Sequence, residues 1–257
     1  MLKGKRIVVT GAASGIGAAA SELFVSQGAV VTKLDRTPID DDGDNFVVDL
    51  ADPASIDKVV NELTSGIDAL CNVAGVPPTA PRDTVLKVNF LGLRRLTEGL
   101  IPKLNDHASI VNVASLAGIG WPDNAAHARR FIDSADFSTV NTLCDELGIE
   151  GAGSYFFSKE VLIAWTLQNR WAWRDRGIRM NCVSPGPVET PILKNFIETL
   201  GDRAAEDMAV MDRAGTPNDI APILAFFCSD ASRWIRGANL FTYGGMHAHI
   251  YSQQHNL

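Results

Sequence analysis

Tyr155 and Lys159 stand four residues apart in Tyr155-Phe156-Phe157-Ser158-Lys159, a spacing that places both on one face of a helix, one turn from each other. A phenol beside an ammonium is a proton-transfer pair. Tyrosine is a poor base at neutral pH because its ordinary pKa is ~10, and a nearby cation favours phenolate and brings it toward the working range. Alone, such a pair is common on helix surfaces. Nearer the N-terminus, Thr10-Gly11-Ala12-Ala13-Ser14-Gly15-Ile16-Gly17 follows an apolar run and opens a helical stretch, Ala18 to Gln27. Glycines there permit a tight turn and let backbone approach a pyrophosphate, while a helix N-terminus supplies N–H groups and positive potential. Asp35 lies 24 residues beyond Gly11 at the end of the next apolar run, where a carboxylate accepts from ribose hydroxyls and repels a 2′-phosphate. The loop carries no Lys or Arg, and Asp35 outweighs the adjacent Arg36, so NAD is expected rather than NADP.

These groups need strands that end at one edge and helices that begin there. Short apolar runs alternate with stretches of helical period, the pattern of βαβ units and a parallel sheet. Strands are expected at Arg6–Thr10, Ala29–Leu34, Asn45–Val48, Ala69–Asn72, Ser109–Val113, Arg179–Val183 and Asn239–Thr242. After Asp52-Pro53, the spacing of Ile56, Val59, Val60 and Leu63 predicts a helix with an N-cap and a first-turn proline. The region 116–154 is irregular: Phe131, Ala135, Val140, Leu143 and Leu147 could line one or two short helices. No repeat or linker divides the chain, so residues 1–257 are expected to form one α/β domain, a Rossmann-type, doubly wound seven-stranded parallel sheet of order 3-2-1-4-5-6-7.

The ordered motifs resemble those of the short-chain dehydrogenase/reductase family. The match begins with the Gly-x3-Gly-x-Gly spacing of Gly11, Gly15 and Gly17, with Ser14 and Ile16 between them. Asp49-Leu50 is similar to the pair that holds the adenine in that family, and Asn72-Val73-Ala74-Gly75 to its Asn-Asn-Ala-Gly segment, with a sheet-stabilising role implied for Asn72. Pro185-Gly186-Pro187-Val188-Glu189-Thr190 resembles its nicotinamide-binding turn. The resemblance implies a catalytic tetrad of Asn89, Ser115, Tyr155 and Lys159. In it Tyr155 is the acid/base, Ser115 donates to the substrate oxygen, Lys159 binds ribose and lowers the tyrosine pKa, and Asn89 holds a water in the relay. A non-catalytic NAD-binding module is the competing reading, and it leaves Tyr155 and Lys159 together without a chemical purpose.

Ser115 and Tyr155 are 40 residues apart, much more than is usual in the family, so 116–154 is read as an insertion that covers the substrate or alters a subunit interface. A similarly long interval occurs in bacterial 3α-hydroxysteroid dehydrogenase/carbonyl reductases. Leu70–Pro77, Gly120-Trp121-Pro122, Arg179–Cys182, Pro191–Leu193 and Ser232–Ile235 resemble bacterial coniferyl-alcohol dehydrogenases beyond the general motifs. Both branches imply a bulky, largely apolar or aromatic alcohol or carbonyl. Ile192, Leu193 and Phe196, in a lid over 191–212, and Trp121 are the candidate substrate contacts. Trp165, Trp171 and Trp173 are expected along the Lys159 helix as core or interface residues. Tyr243 stands where the family usually has Asp.

Composition bounds the remaining classes. A net charge of -7 without a basic run argues against a nucleic-acid partner. The four cysteines form no CxxC pair, which suggests neither a zinc ribbon nor a disulfide framework and fits a reducing cytoplasm. No signal-type or membrane-spanning run is read. His247-Ala248-His249 offers two metal-type ligands without a third, and no metal is expected. By resemblance the chain forms a homodimer or homotetramer around a small-molecule substrate.

Overall fold

Apolar side chains that alternate along the inner strands feed two separate cores. In β1 (Arg6–Thr10), Ile7 and Val9 join one and Val8 the other; in β4 (Ile67–Asn72), Ala69 and Cys71 oppose Leu70; in β5 (Leu104–Val113), Val111 and Val113 oppose Ile110. Strands buried on both faces are what a parallel sheet under two helical layers requires. The computed structural model describes residues 1–201 and 209–257. It contains a single seven-stranded parallel sheet of order β3-β2-β1-β4-β5-β6-β7, as the sequence reading expected. β2 (Val30–Asp35), β3 (Asp44–Val47), β6 (Arg179–Pro185) and β7 (Asn239–Thr242) complete it. β5 starts earlier than the apolar run predicts because Leu104 pairs with Ile67 ahead of an irregularity in register, and β6 ends later because Ser184 and Pro185 still pair with Phe241 and Thr242.

α1 (Gly15–Ser26) covers one face with a late helix, and α2 (Pro53–Glu62) covers the other. α1 begins at Gly15, three residues before the expected start. α2 is capped as expected, Asp52 Oδ1 accepting from the Ala54 N–H at 2.9 Å ahead of Pro53. α3 (Arg82–Leu86) runs through a π-helical turn, Lys87–Gly92, into α4 (Leu93–Leu100). Such a wide turn inside a helix often marks a functional position, and Asn89 sits in this one.

The 116–154 region contains α5 (Ala125–Ser134) and α6 (Val140–Leu147). Their buried residues include Phe131, Val140 and Leu143. Phe131 meets Phe157 edge-on at 5.4 Å between centroids and lies 6.0 Å from Phe90, so α5 packs onto α7 (Gly153–Gln168) as core. α7 ends before two of the three tryptophans expected on it. Trp165 is buried against Phe90, whereas Trp171 is in a short 3-10 turn, exposed, and Trp173 lies beyond it.

α8 (Pro191–Leu200) lies in a loop whose two stems are tied together, Glu189 N–H donating to Gly215 O and Gly215 N–H to Pro187 O. The lid expected over 191–212 therefore starts as a helix; its part from 202 to 208 lies outside the described residues. α9 (Pro217–Cys228) opens with a Thr216/Asp219 capping box and packs beside α1. The chain closes with α10 (Met246–His255). No helix among the described residues is long and apolar enough to cross a membrane.

Candidate active site

Two clefts meet over the carboxyl ends of the strands. One, of about 290 Å³, is lined by the glycine loop, Asp35, Arg36, Asp49, Leu50, Ala74 and Gly75. The other, of about 470 Å³, is lined by Ser115, Tyr155, Lys159, Pro185 to Val188, Ile192, Leu193 and Phe196. Ile16, Val73, Gly75, Val76, Thr190 and Ile192 line both.

The first cleft is shaped by backbone. Gly11 has φ +70°, and a Cβ on it would stand 2.7 Å from Ala74 Cα; at Gly17 it would lie 2.0 Å from Gly11 O. Neither position tolerates a side chain. Ser14 begins α1 without a side-chain cap, and the first intrahelical bond runs from Ala18 N–H to Ser14 O, so the N–H groups of Gly15, Ile16 and Gly17 have no intrahelical partner. Those donors, with the helix dipole, suit a diphosphate. Asp35 Oδ2 accepts from Ala13 N–H at 3.0 Å and Oδ1 from Thr37 N–H at 2.8 Å. The carboxylate is thereby fixed at the strand end with acceptor capacity remaining. Thr10 Oγ1 accepts from Val73 and Ala74 N–H, joining the opposite wall to the loop. These residues fit a dinucleotide.

Asn72 is the exception among the expected cofactor contacts. It lines neither cleft, is buried, and donates through Nδ2 to Thr97 Oγ1 at 3.0 Å and Asn112 Oδ1 at 2.9 Å. Asn112 in turn donates to Thr166 Oγ1. This chain of polar side chains ties β4, β5, α4 and α7 together, which is the kind of sheet role implied for Asn72.

At the seam, β5 ends just before Ser115, and α7 carries Tyr155 and Lys159 past it. The Lys159 Nζ is 5.6 Å from the centroid of the Tyr155 ring and donates to Val113 O at 3.0 Å. Asn89 Oδ1 accepts from Val76 N–H at 2.8 Å, and its Nδ2 donates to Val76 O and Ser158 Oγ. A Cβ on Gly75 would be 3.2 Å from Asn89 Oδ1 and 3.8 Å from Lys159 Nζ. The tetrad expected from the motifs is thus brought to one place.

Its electrostatics differ from the expectation. Burial pushes the Tyr155 phenol up to about 12, opposed by the neighbouring Ser115 hydroxyl, and burial brings Lys159 down to about 8. Desolvation dominates both groups, because charging either one in this enclosed site forfeits hydration.

Apart from these groups, Thr190 and Glu160, the second cleft is lined by apolar side chains and backbone. Phe196 stands edge-on to Tyr155 at 4.8 Å between ring centroids. Trp121, expected there, does not line it: Gly120 does, and the indole that follows turns away to pack on the larger core. The rest of 121–154 is likewise absent from the wall; within the insertion only Leu116, Ala117, Ile119 and Gly120 face the cleft. Reasoning from sequence missed Phe156 and Glu160, although their spacing of four beside Tyr155 and Lys159 marks a second stripe on α7. It also missed Met246 and Ile250 of α10, where attention went to the histidines. His247 instead stacks on Phe241 at 3.9 Å.

Residues 5–128 match the family model described as short chain dehydrogenase, and 125–247 the one described as enoyl-(acyl carrier protein) reductase. The chain belongs to the short-chain dehydrogenase/reductase family of oxidoreductases. It is 39% identical over 248 residues to coniferyl-alcohol dehydrogenase of Pseudomonas sp. (strain HR199 / DSM 7063), covering 95% of this chain and 97% of that protein. It is 26% identical to the 3-alpha-hydroxysteroid dehydrogenase/carbonyl reductase of Comamonas testosteroni, over 94% of this chain and 96% of that one. The crystal structure of 3-alpha-hydroxysteroid dehydrogenase from Pseudomonas sp. B-0831 complexed with NADH superimposes with a TM-score of 0.84 at 28% identity, covering 97% of this chain and 99% of that chain.

Proposed function

We propose that this protein is an NAD-dependent alcohol dehydrogenase or carbonyl reductase acting on a bulky, largely apolar or aromatic substrate, with Tyr155 as general acid/base. The observation that carries this reading is the junction of the two clefts. A dinucleotide-shaped groove opens at Gly75, Val76 and Thr190 into an apolar chamber in which Ser115, Tyr155 and Lys159 converge. Similarity to the coniferyl-alcohol dehydrogenase supports the aromatic branch. NAD is favoured over NADP by the fixed Asp35 carboxylate, which accepts ribose hydroxyls and repels a phosphate at the same place.

A bound nicotinamide would supply the hydride acceptor or donor. The chain's own work is protonic and positional. Tyr155 removes the alcohol proton, or returns it in reduction, from within an enclosed site where Ser115 donates to and aligns the substrate oxygen. Lys159 faces the ribose side and, with the positive charge of the oxidised ring nearby, favours phenolate in the loaded enzyme, reversing the upward displacement that burial alone imposes. Asn89, anchored on Val76, holds the inner end of the proton path. The lining side chains Ile192, Leu193 and Phe196 exclude water and grip the apolar part of the substrate.

The test is a screen that follows nicotinamide absorbance, with NAD and NADP supplied separately to coniferyl-type alcohols, 3α-hydroxysteroids and bulky aryl ketones. NAD-linked turnover of aryl alcohols is expected. Turnover of steroids alone would move the substrate to the hydroxysteroid branch, and activity only with NADP would overturn the role given to Asp35. Tight NAD binding with silence on every substrate would favour the non-catalytic module.

A further inference from the structure

Among the polar side chains that line the substrate cleft, Ser115, Tyr155, Lys159 and Thr190 have places in the reading above. Glu160 has none. It follows Lys159 on α7, is 6% exposed, and lines the cleft together with Leu116, Ala117, Ile119, Gly120 and Phe156. Both carboxylate oxygens accept from Asn124 Nδ2, at 3.0 and 2.9 Å. Burial raises its pKa, Asn124 opposes the rise, and Asp123 adds to it; no cation contributes. Space for the carboxylate exists because position 120 is glycine: a Cβ there would stand 2.9 Å from Glu160 Oε1.

A carboxylate offers about four lone-pair sites, and one amide nitrogen leaves part of that capacity unused. A buried acceptor left short of donors is costly, and the neighbouring apolar side chains have none to give. A ligand in the cleft does, provided it carries a neutral hydroxyl; a second carboxylate would be repelled. Tyr155 and Glu160 are five residues apart on one helix, an axial rise of about 7.5 Å. With the turn of about 140° between them added to that rise, the two groups meet the cleft at different points, so the matching hydroxyl is removed from the reacting carbon rather than beside it.

Resting on the dehydrogenase reading, we propose that Glu160 is a specificity-determining residue: its carboxylate accepts a hydrogen bond from a hydroxyl that the substrate carries remote from the reacting carbon. The preferred substrates are then aryl or alicyclic alcohols and carbonyls with a second, distal hydroxyl. Asn124 positions the carboxylate and ties the start of α5 to the cleft wall.

The test compares 4-hydroxy- and 4-methoxy-substituted aryl alcohols as substrates of the NAD-loaded enzyme, and measures calorimetric binding of the same pair. Wild type should favour the hydroxylated member by about 10- to 100-fold in kcat/KM, the range of a hydrogen bond to a charged group. In Glu160→Gln that ratio should fall to a few-fold, with the loss confined to the hydroxylated substrate. Asn124→Ala removes the donor that positions the carboxylate and should lower the preference part-way, so a ratio left at its wild-type value in that variant counts against the proposal even if Glu160→Gln folds poorly. An unchanged ratio in Glu160→Gln, or equal losses on both substrates, would reduce Glu160 to an anchor for the 116–124 wall and overturn the proposal. If neither alcohol turns over, the dehydrogenase reading is at fault. Binding then still decides this one: a hydroxyl preference lost in Glu160→Gln upholds it, and no preference in wild type sinks it.

Discussion

The two clefts are built by different means. The dinucleotide side uses backbone: Gly11 and Gly17 leave no room for a Cβ, α1 presents uncapped N–H groups, and Asp35 is held by two backbone donors. The substrate side uses side chains from separate places in the chain, including the turn after β5, two adjacent stripes of α7, α8 inside a pinned loop, and α10. A binding surface made of backbone tolerates little substitution, whereas one made of side chains can be re-cut without disturbing the sheet. One cofactor can thus serve many chambers.

The sharpest break of that comparison is at the seam. Tyr155→Phe removes only the phenolic oxygen and should lower turnover by about 10²–10⁴-fold. NAD affinity, measured by calorimetry, should stay within a few-fold because no element of the backbone cradle is touched. Near-normal turnover would remove Tyr155 from the proton path. The reciprocal change is Gly17→Ala, whose methyl would meet Gly11 O at 2.0 Å unless the loop moves. Overpacking of this kind costs roughly 1–3 kcal/mol, which should appear mainly as weakened NAD binding. Wild-type affinity in a folded Gly17→Ala protein would show that the loop is not the rigid cradle described.

What could be read from the sequence follows the same division. The glycine loop, Asp35, the strands themselves and the Tyr155/Lys159 pair rest on local rules, since tight turns, strand alternation and helical spacing act over a few residues, whereas the strand order followed from the doubly wound pattern as a whole. Asn72 was legible as a sheet residue but not as one kept out of the clefts, because its partners Thr97 and Asn112 come from other elements. Trp121 misled for a related reason: an aromatic beside a glycine turn can face either way, and packing against the core decided it. Met246 and Ile250 reach the chamber only because β7 returns beside β6. Their place depends on tertiary closure, which periodicity does not encode.

Lys159 belongs to both halves and reports on burial itself. Its pKa is about 8 in the folded protein against an ordinary 10.5. Between those values the unfolded chain binds a proton that the folded chain does not, so this group makes stability rise with pH across the window. Below it the burial penalty is fully present. Tyr155 and Cys182, both pushed up to about 12 by burial, act oppositely above their ordinary values of 10.0 and 9.0. Subtracting a Lys159→Met variant isolates the lysine. The stability difference, variant minus wild type, should decrease as pH rises from about 8 to 10.5, by at most about 1.4 kcal/mol per pH unit. Denaturant unfolding of the cofactor-free proteins measures it. A flat difference would mean that Lys159 is better hydrated than its 4% exposure indicates.

The smallest effect separates two aromatics that the sequence placed together. Phe196 touches Tyr155 and lines the chamber, whereas Trp121 is packed on the core. An edge-on aromatic contact is worth about 0.5–1.5 kcal/mol beyond area burial. Phe196→Ala should therefore raise KM for an aryl alcohol by roughly 2–10-fold, leaving the melting temperature almost unchanged because α8 is not part of either large core. Trp121→Ala should do the reverse, lowering the melting temperature with KM nearly constant, since it removes packing behind the wall rather than the wall itself. Steady-state kinetics and thermal melts on the two variants give a two-by-two result. If both variants raise KM, the 116–124 turn and α8 act as one surface, and the division between a core-packed insertion and a substrate-facing α8 has to be redrawn.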